Sequence, residues 1–229
     1  DYAEARNNLG NVLQDLGRHG DALESYDRAI ALKSEFAQAW SNRGNALRDL
    51  GRLTEALESC DRAVALEPGH AEAHGNRGNV LRELGRLPEA LESFAKAIAL
   101  RPDSAEARNN LGNALRDLQR HAEALESFEA AIALRPDYAE ALSNRGVALL
   151  DLGRAGEALE AFGRALAILP DHAPIHCNRG MALMDMGRAA QAVECYDRAI
   201  GLRPDYADAH SNRGLALAGL GRCAEARRS

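Results

Sequence analysis

The sequence predicts an all-α fold, an α-solenoid or superhelix of 34-residue helix-turn-helix repeats. Three observations predict it. Glycine, alanine and proline recur along the chain at a fixed step of 34 residues. Each repeat contains two stretches in which apolar residues recur at helical spacing. A turn separates these two stretches, and in most repeats a proline follows the second one.

The glycines give the period most directly, because each follows the last by 34 residues: Gly10, Gly44, Gly78, Gly112, Gly146, Gly180 and Gly214. The chain therefore holds six full repeats, 3–36, 37–70, 71–104, 105–138, 139–172 and 173–206, and a partial repeat, 207–229. We expect a single array over 1–229. Because residues 1 and 2 match the end of a preceding repeat, and the last residue falls inside a helix, we also expect a fragment of a longer protein.

The second repeat shows how the helices begin and end. Apolar spacing predicts a first helix over about 37–50 and a second helix over about 54–66, which Pro68 ends. Gly44 and Ala56 are small enough to let the two axes approach to the short end of the usual range of about 8–10 Å. One helix pair cannot bury its own apolar face, so successive repeats must stack into a superhelix with a concave side.

Two interactions are expected at the helix ends. Asp103 with Glu106, and Asp137 with Glu140, fit an N-cap acid that a glutamate answers three residues later. An arginine also recurs in the turn between the two helices, where we expect it to face the carbonyl end of the first helix. These turn arginines are Arg18, Arg52, Arg86, Arg120, Arg154, Arg188 and Arg222.

Seven residues of the second repeat form a signature: Trp40, Gly44, Leu47, Ala56, Cys60, Ala63 and Pro68. This signature resembles the tetratricopeptide repeat family, and the resemblance extends over essentially the whole chain. The family usually has tyrosine at the position of Leu47 and a large aromatic residue at that of Cys60, and other repeats of this chain restore the latter. The resemblance implies a right-handed superhelix whose first helices line a groove that binds peptides or proteins.

An asparagine stands two residues before each recurring glycine, and we call this series the ladder asparagines: Asn8, Asn42, Asn76, Asn110, Asn144, Asn178 and Asn212. Equivalent residues of stacked repeats form a line, and an amide offers both a donor and an acceptor to the backbone of an extended peptide. We therefore predict that the ladder asparagines bind polypeptide, together with four asparagines three residues further on, Asn11, Asn45, Asn79 and Asn113. The series is similar to that in the repeat domain of O-linked N-acetylglucosamine transferases, where it holds the acceptor polypeptide. The alternative is that these amides cap turns or bond between helices.

The groove positions that follow the ladder asparagines change character along the chain. In the first four repeats they are amides and arginines, whereas later they are apolar: Val147, Leu150, Met181, Met184 and Leu215. We call these five residues the apolar groove patch. Exposed apolar strips commonly mark contact surfaces, and methionine suits an adaptable one. The patch is expected to take apolar side chains of a ligand or a following domain; the alternative is that it tightens packing between helices.

No catalytic or metal-binding constellation is predicted. His70 with His74, and His172 with His176, have the four-residue spacing of helical metal ligands, but other repeats place Phe36 or Tyr138 at equivalent positions. The histidines are therefore interpreted as packing residues. The four cysteines lack CxxC spacing, and no nucleophile with a base and an orienting group can be nominated. We expect no metal, no cofactor and no enzymatic activity in this chain.

Composition limits the remaining function classes. The net charge of −6 argues against a general nucleic-acid binder. No run approaches the roughly 20 apolar residues of a membrane span, and no secretory leader is visible. Few, unpatterned cysteines favour a reducing cytoplasmic location, and the excess of arginine over lysine favours a bacterial source.

The favoured function is a protein-interaction scaffold that holds an extended polypeptide through the ladder asparagines. The first alternative is the substrate-selecting arm of a glycosyltransferase, which would share that groove. The second is a structural array that self-associates end to end, because neither end of the chain carries a polar capping helix.

Overall fold

The computed structural model describes residues 2–226, and over these residues the chain is all-α, with no strand. The predicted all-α repeat solenoid is confirmed. The first helices of the repeats are α1 Tyr2–Asp15, α3 Ala37–Asp49, α5 Ala71–Glu83, α7 Ala105–Asp117, α9 Ala139–Asp151, α11 Ala173–Asp185 and α13 Ala207–Gly219. The second helices are α2 His19–Leu32, α4 Leu53–Leu66, α6 Leu87–Leu100, α8 His121–Leu134, α10 Ala155–Ile168, α12 Ala189–Leu202 and the short α14 Cys223–Ala226. None of these helices is long and apolar enough to cross a membrane.

The chain divides into two compact bodies, an N-terminal body that ends at Leu118 and a C-terminal body that begins at Gln119. In each body, the two helices of a repeat pack against each other, and the second helix also packs against the first helix of the next repeat. Phe94 is fully buried in the core of the N-terminal body, and Phe162 is fully buried in that of the C-terminal body. The single array over 1–229 stays a prediction.

The recurring glycines of the first helices lie against the residue that fills the core of the same repeat. A Cβ atom built on Gly78 would lie 2.6 Å from Cε1 of Phe94. In the second repeat, a Cβ on Gly44 would lie 2.5 Å from Sγ of Cys60 and 3.2 Å from the carbonyl oxygen of Ala56. Non-bonded carbon atoms normally keep about 3.5–4.0 Å apart. The close helix approach expected from the small residues is therefore present in both repeats.

The turn between the two helices of a repeat depends on a residue in the left-handed region. Gly85 has φ of +72°, and the backbone N–H of Arg86 donates to the carbonyl of Leu81 at 2.9 Å, which closes a Schellman-type helix end. Glycine occupies this position in the other described turns except one, where Gln119 has φ of 60°. A non-glycine residue in this region carries backbone strain.

The expected N-caps of α7 and α9 are wrong by one residue. Ser104, not Asp103, is the N-cap of α7, and its Oγ accepts a hydrogen bond from the backbone N–H of Ala107 at 3.1 Å. Tyr138, not Asp137, precedes α9 and makes no side-chain cap bond. The reason is that each helix begins one residue later than the acid-to-glutamate spacing requires.

The turn arginines bind a side chain instead of the expected carbonyl end of the first helix. Arg52 is the N-cap residue of α4, and Nε and Nη2 of its guanidinium donate to the two carboxylate oxygens of Glu55 at 2.7 and 2.6 Å. A residue three positions on lies within reach in the first helical turn. The hydrogen bond from Arg52 lowers the pKa of Glu55. The same pairing recurs in Arg18–Asp21, Arg86–Glu89, Arg120–Glu123, Arg154–Glu157 and Arg222–Glu225.

Candidate functional site

The ladder asparagines all lie on first helices, but their exposure differs. Asn8 is exposed at the start of the chain, whereas Asn42 is buried. The others are half-buried: Asn76, Asn110, Asn144, Asn178 and Asn212. Of the second predicted set, Asn11 is exposed, and three are half-buried, Asn45, Asn79 and Asn113.

Asn42 uses its amide within the protein. Its Nδ2 donates to Oδ1 of Asn7 and to Oδ1 of Asn11, both at 2.9 Å, and its Oδ1 accepts a hydrogen bond from Nε2 of Gln38 at 2.9 Å. Oδ1 of Asn11 also accepts from the hydroxyl of Tyr26 at 2.9 Å. Asn42 thus joins two successive first helices, and its acceptor and both of its donors are engaged.

The same contact recurs at two further ladder asparagines. In each case Nδ2 donates to the side chain 35 residues earlier. For Asn42 this acceptor is Asn7, and for Asn76 it is Oγ of Ser41, at 3.0 Å. The same relation links Asn212 to Sγ of Cys177 at 3.8 Å. These contacts match the alternative that the amides bond between helices. At Asn76 and Asn212 the contact uses only part of the amide's hydrogen-bonding capacity, so a second role in peptide binding stays a prediction there.

The contact cannot form at Asn110, because the residue at the equivalent earlier position is Gly75 and has no side chain. Among the hydrogen bonds made within residues 2–226, none involves the Asn110 side chain. A cavity of about 60 Å³ lies at this place between α5 and α7, lined by Asn76, Asn79, Asn110 and Glu106 among others. One water needs about 10–15 Å³ of such volume, so the cavity has room for several waters or for a peptide group.

Two arginines at the groove positions of the first four repeats lie close to carboxylates. Nη2 of Arg48 donates to Oδ1 of Asp49 in its own helix at 2.9 Å. Nε of Arg48 lies 3.6 Å from a carboxylate oxygen of Glu83, and Nη1 of Arg82 lies 3.8 Å from one of Asp117. Gln14 donates in the same way to Asp49. The sequence reasoning named these positions as polar but did not find this pairing.

The five residues of the apolar groove patch come together in the C-terminal body, where Val147, Leu150, Met181, Met184 and Leu215 line one cavity of about 400 Å³. Val147, Leu150 and Met184 also pack against the hydrophobic core, as the packing alternative expects. Leu215 is 65% exposed on α13, the last of the first helices in the sequence.

Two of the paired histidines, His74 and His176, contact a backbone carbonyl oxygen, which the sequence did not predict. Nε2 of His74 lies 3.0 Å from the carbonyl oxygen of Pro68, and Nε2 of His176 lies 2.8 Å from that of Pro170. The bond ties the start of a first helix to the turn before it. Trp40, Arg108 and His210 make equivalent bonds, and the signal available in the sequence was that each of these side chains carries an N–H donor. Within residues 2–226, no group of three or more potential metal ligands is present.

The arginine that follows a ladder asparagine makes a second unforeseen contact. Arg77 in α5 donates from Nε to Asp61 of α4 at 2.6 Å and from Nη1 to Oγ of Ser93 in α6 at 2.7 Å. Arg43 donates in the same way to Asp27 and Ser59. We call this the three-helix arginine, because it joins a first helix to the second helices on both sides. Its sequence signal is an acid 16 residues earlier and a serine 16 residues later.

Comparison with known proteins places these features in one family. The tetratricopeptide repeat model matches residues 7–71, 61–105, 76–138 and 109–173, and a related TPR repeat model matches 180–221. No curated protein matches the chain.

Several solved structures share its fold. YrrB, described as a TPR protein with an unusual peptide-binding site, is 29% identical with a TM-score of 0.63, over 82% of this chain and 96% of that one. PilW, a type IV pilus biogenesis factor, is 20% identical with a TM-score of 0.84, over 90% and 96%. The APC/C hetero-tetramer Cut9–Hcn1 gives 18% identity and a TM-score of 0.86 over 94% of this chain, which spans 42% of the matched chain.

Proposed function

This chain belongs to the tetratricopeptide repeat family, a family of protein-interaction scaffolds, and we propose that it binds an extended polypeptide through amides of its first helices. The cavity beside Gly75 carries the proposal. There the Asn110 amide lacks the acceptor that Asn42 and Asn76 find in the preceding first helix.

An extended peptide has the chemistry that this cavity requires. Each of its residues presents one N–H donor and one C=O acceptor, which an asparagine side chain can meet with its own acceptor and donors. Asn110 is half-buried, and its side-chain amide is not among the unpartnered atoms that are closed off from solvent, so a ligand in the cavity can reach it. A peptide group seated between Asn76 and Asn110 would provide the missing partner. Because backbone atoms are recognised, side-chain selectivity must come from other positions.

The apolar groove patch is proposed as a second contact surface, for apolar side chains of the ligand. Its support is the 400 Å³ cavity that all five of its residues line. YrrB, which is 29% identical to this chain, supports peptide binding by its description as a TPR protein with an unusual peptide-binding site.

The test is capture from an array of unstructured peptides, with variants that change only the proposed contacts. Peptides retained by the wild type are expected to bind Asn76→Ala/Asn110→Ala at least about tenfold more weakly, which corresponds to about 1.4 kcal/mol. The sharper variant is Gly75→Ser, which restores the acceptor for Asn110 and has space for a side chain, since a Cβ there meets no atom within 4 Å. It should retain or raise the thermal midpoint and weaken binding, because the serine side chain takes up space in the small cavity that Gly75 lines and engages a donor of Asn110.

Unchanged binding by both variants would overturn the proposal for the ladder asparagines. A separate variant, Met181→Glu/Met184→Glu, tests the apolar groove patch, and intact binding there would refute its role. The glycosyltransferase arm and the self-associating array stay predictions from the sequence. Light scattering over a dilution series tests the second, because self-association requires a mass that falls on dilution.

A further inference from the structure

Arg179 occupies the position of the three-helix arginine but lacks both partners of that contact. Gly163 stands where the acid is expected on the preceding second helix, and Cys195 stands where the serine is expected on the following one. The Nε atom of Arg179 is buried without a hydrogen-bond partner. Over residues 2–226, the structure shows neither a hydrogen bond nor an ion pair to this guanidinium.

The equivalent arginines of other repeats differ from Arg179, because they are paired. Four arginines at this position are paired with an acid of the preceding second helix: Arg43 with Asp27, Arg77 with Asp61, Arg145 with Glu129 and Arg213 with Asp197. In the fourth repeat the arginine is replaced by Leu111, and there the acid is also absent, since Ala95 stands in its place. Arginine and acid are thus kept or lost together, and Arg179 with Gly163 is the exception in the sequence.

Arg179 lies at a cleft of about 280 Å³ between α11 and α12, which we call the Arg179 cleft. Two other arginines line it and are already partnered. Arg198 is paired with Asp171 at 2.6 Å, and Arg188 donates to Gln191. Arg198 is thus neutralised by a carboxylate, whereas Arg188 bonds only to a neutral amide and Arg179 makes no bond within residues 2–226, so Arg179 is the cleft arginine whose donors are all available to an anion.

We propose that the Arg179 cleft is a docking site for the side-chain carboxylate of an Asp or Glu residue of a partner polypeptide. Carboxylate is the group that satisfies this arginine in four other repeats, and the planar guanidinium fork matches it in geometry and charge. Glu194, which also lines the cleft, disfavours a doubly charged phosphate. This site is separate from the ladder asparagines, because three-helix arginines contact second helices on either side.

The test follows the Arg179 Nε–H signal by NMR in the full chain, with the signal assigned by its loss in Arg179→Lys. The first two probes are a peptide with an acetylated N terminus, an amidated C terminus and one glutamate, and the same peptide with glutamine in its place. The third is an acetylated peptide whose only carboxylate is its free C terminus, and the fourth is inorganic phosphate. The glutamate peptide is expected to give a saturable downfield shift, and its glutamine counterpart none. The C-terminal probe distinguishes a chain end from a side chain as the source of the carboxylate.

A matched pair of variants isolates the missing acid. Gly163→Asp supplies the internal carboxylate, and Gly163→Asn supplies the same shape without charge; a Cβ at this position meets no atom within 4 Å, so both are expected to fold. Gly163→Asp should have the higher thermal midpoint and bind the glutamate peptide about tenfold more weakly than Gly163→Asn. Equal binding by the two variants, a shift with phosphate alone or with the C-terminal carboxylate probe alone, or no saturable shift with the glutamate peptide would overturn the proposal.

Discussion

Replacing Gly78 with alanine tests whether the glycines of the first helices are required by close packing. A Cβ atom there would lie 2.6 Å from Cε1 and 2.8 Å from Cδ1 of Phe94, whose side chain is fully buried. Both distances are about 1 Å short of normal carbon–carbon contact. Phe94 cannot swing into solvent, so the two helices must separate or the ring must leave its preferred rotamer.

The magnitude follows from two opposed effects. Adding one methyl group to a well-packed core costs about 1–3 kcal/mol. Replacing glycine by alanine within a helix contributes up to about 1 kcal/mol in the other direction. Gly75 lies in the same helix, and a Cβ there meets no atom within 4 Å. Gly75→Ala therefore gains helix propensity without overpacking. The difference in the free energy of unfolding between the two variants measures the cost of overpacking, about 1–3 kcal/mol.

The assay is urea unfolding followed by circular dichroism. We expect the midpoint of Gly78→Ala to lie below that of the wild type and that of Gly75→Ala to lie above it. Adding Phe94→Leu to Gly78→Ala should recover part of the loss, as a double-mutant cycle would show through a favourable coupling between the two sites. Equal midpoints for Gly78→Ala and Gly75→Ala would refute the packing explanation of the period.

Three further predictions concern single residues. Gln119→Gly should raise the free energy of unfolding by about 1 kcal/mol, because it removes left-handed strain, and Gly85→Gln should lower it by a similar amount; thermal unfolding measures both. Burial raises the pKa of Cys60 to about 12, so this thiol should react with a thiol reagent at neutral pH only when the protein unfolds, which the urea dependence of the labelling rate will show. The pKa of Glu55 is lowered by its hydrogen bond from Arg52, so its stabilising contribution is present above the unfolded pKa of about 4.3 and lost as the pH falls through the lower folded pKa. The free energy of unfolding should therefore fall less steeply below about pH 4.3 in Arg52→Gln than in the wild type, as urea unfolding at a series of pH values will show.

The period determines most of the fold, because one residue type every 34 positions fixes which side chains meet. Gly44 against Ala56, and the convergence of Met181 with Leu215, could be predicted from it. The sequence could not identify the residue at which a helix begins. Two adjacent residues, Asp103 and Ser104, can both accept a cap hydrogen bond, and only the backbone decides which one does.

The role of the ladder asparagines could not be decided from their recurrence. A residue that binds ligand in every repeat and one that bonds to the next repeat leave the same pattern in the sequence. The distinguishing information lies 35 residues earlier, in the alternation of Asn7, Ser41 and Gly75 as possible acceptors. The same holds for Arg77, whose acid partner lies on another helix. The bacterial source, the cytoplasmic location and the lack of nucleic-acid binding stay predictions.

The most direct test of the proposed function is to follow the side-chain amide NMR signals of Asn76, Asn79 and Asn110 while a peptide retained by the wild-type chain is titrated in. Saturable shifts of these amides, with the Asn42 amide much less affected because its hydrogen bonds are already made, would support binding at the gap beside Gly75. Shifts confined to the methyl groups of the apolar groove patch, with the asparagine amides unmoved, would contradict it.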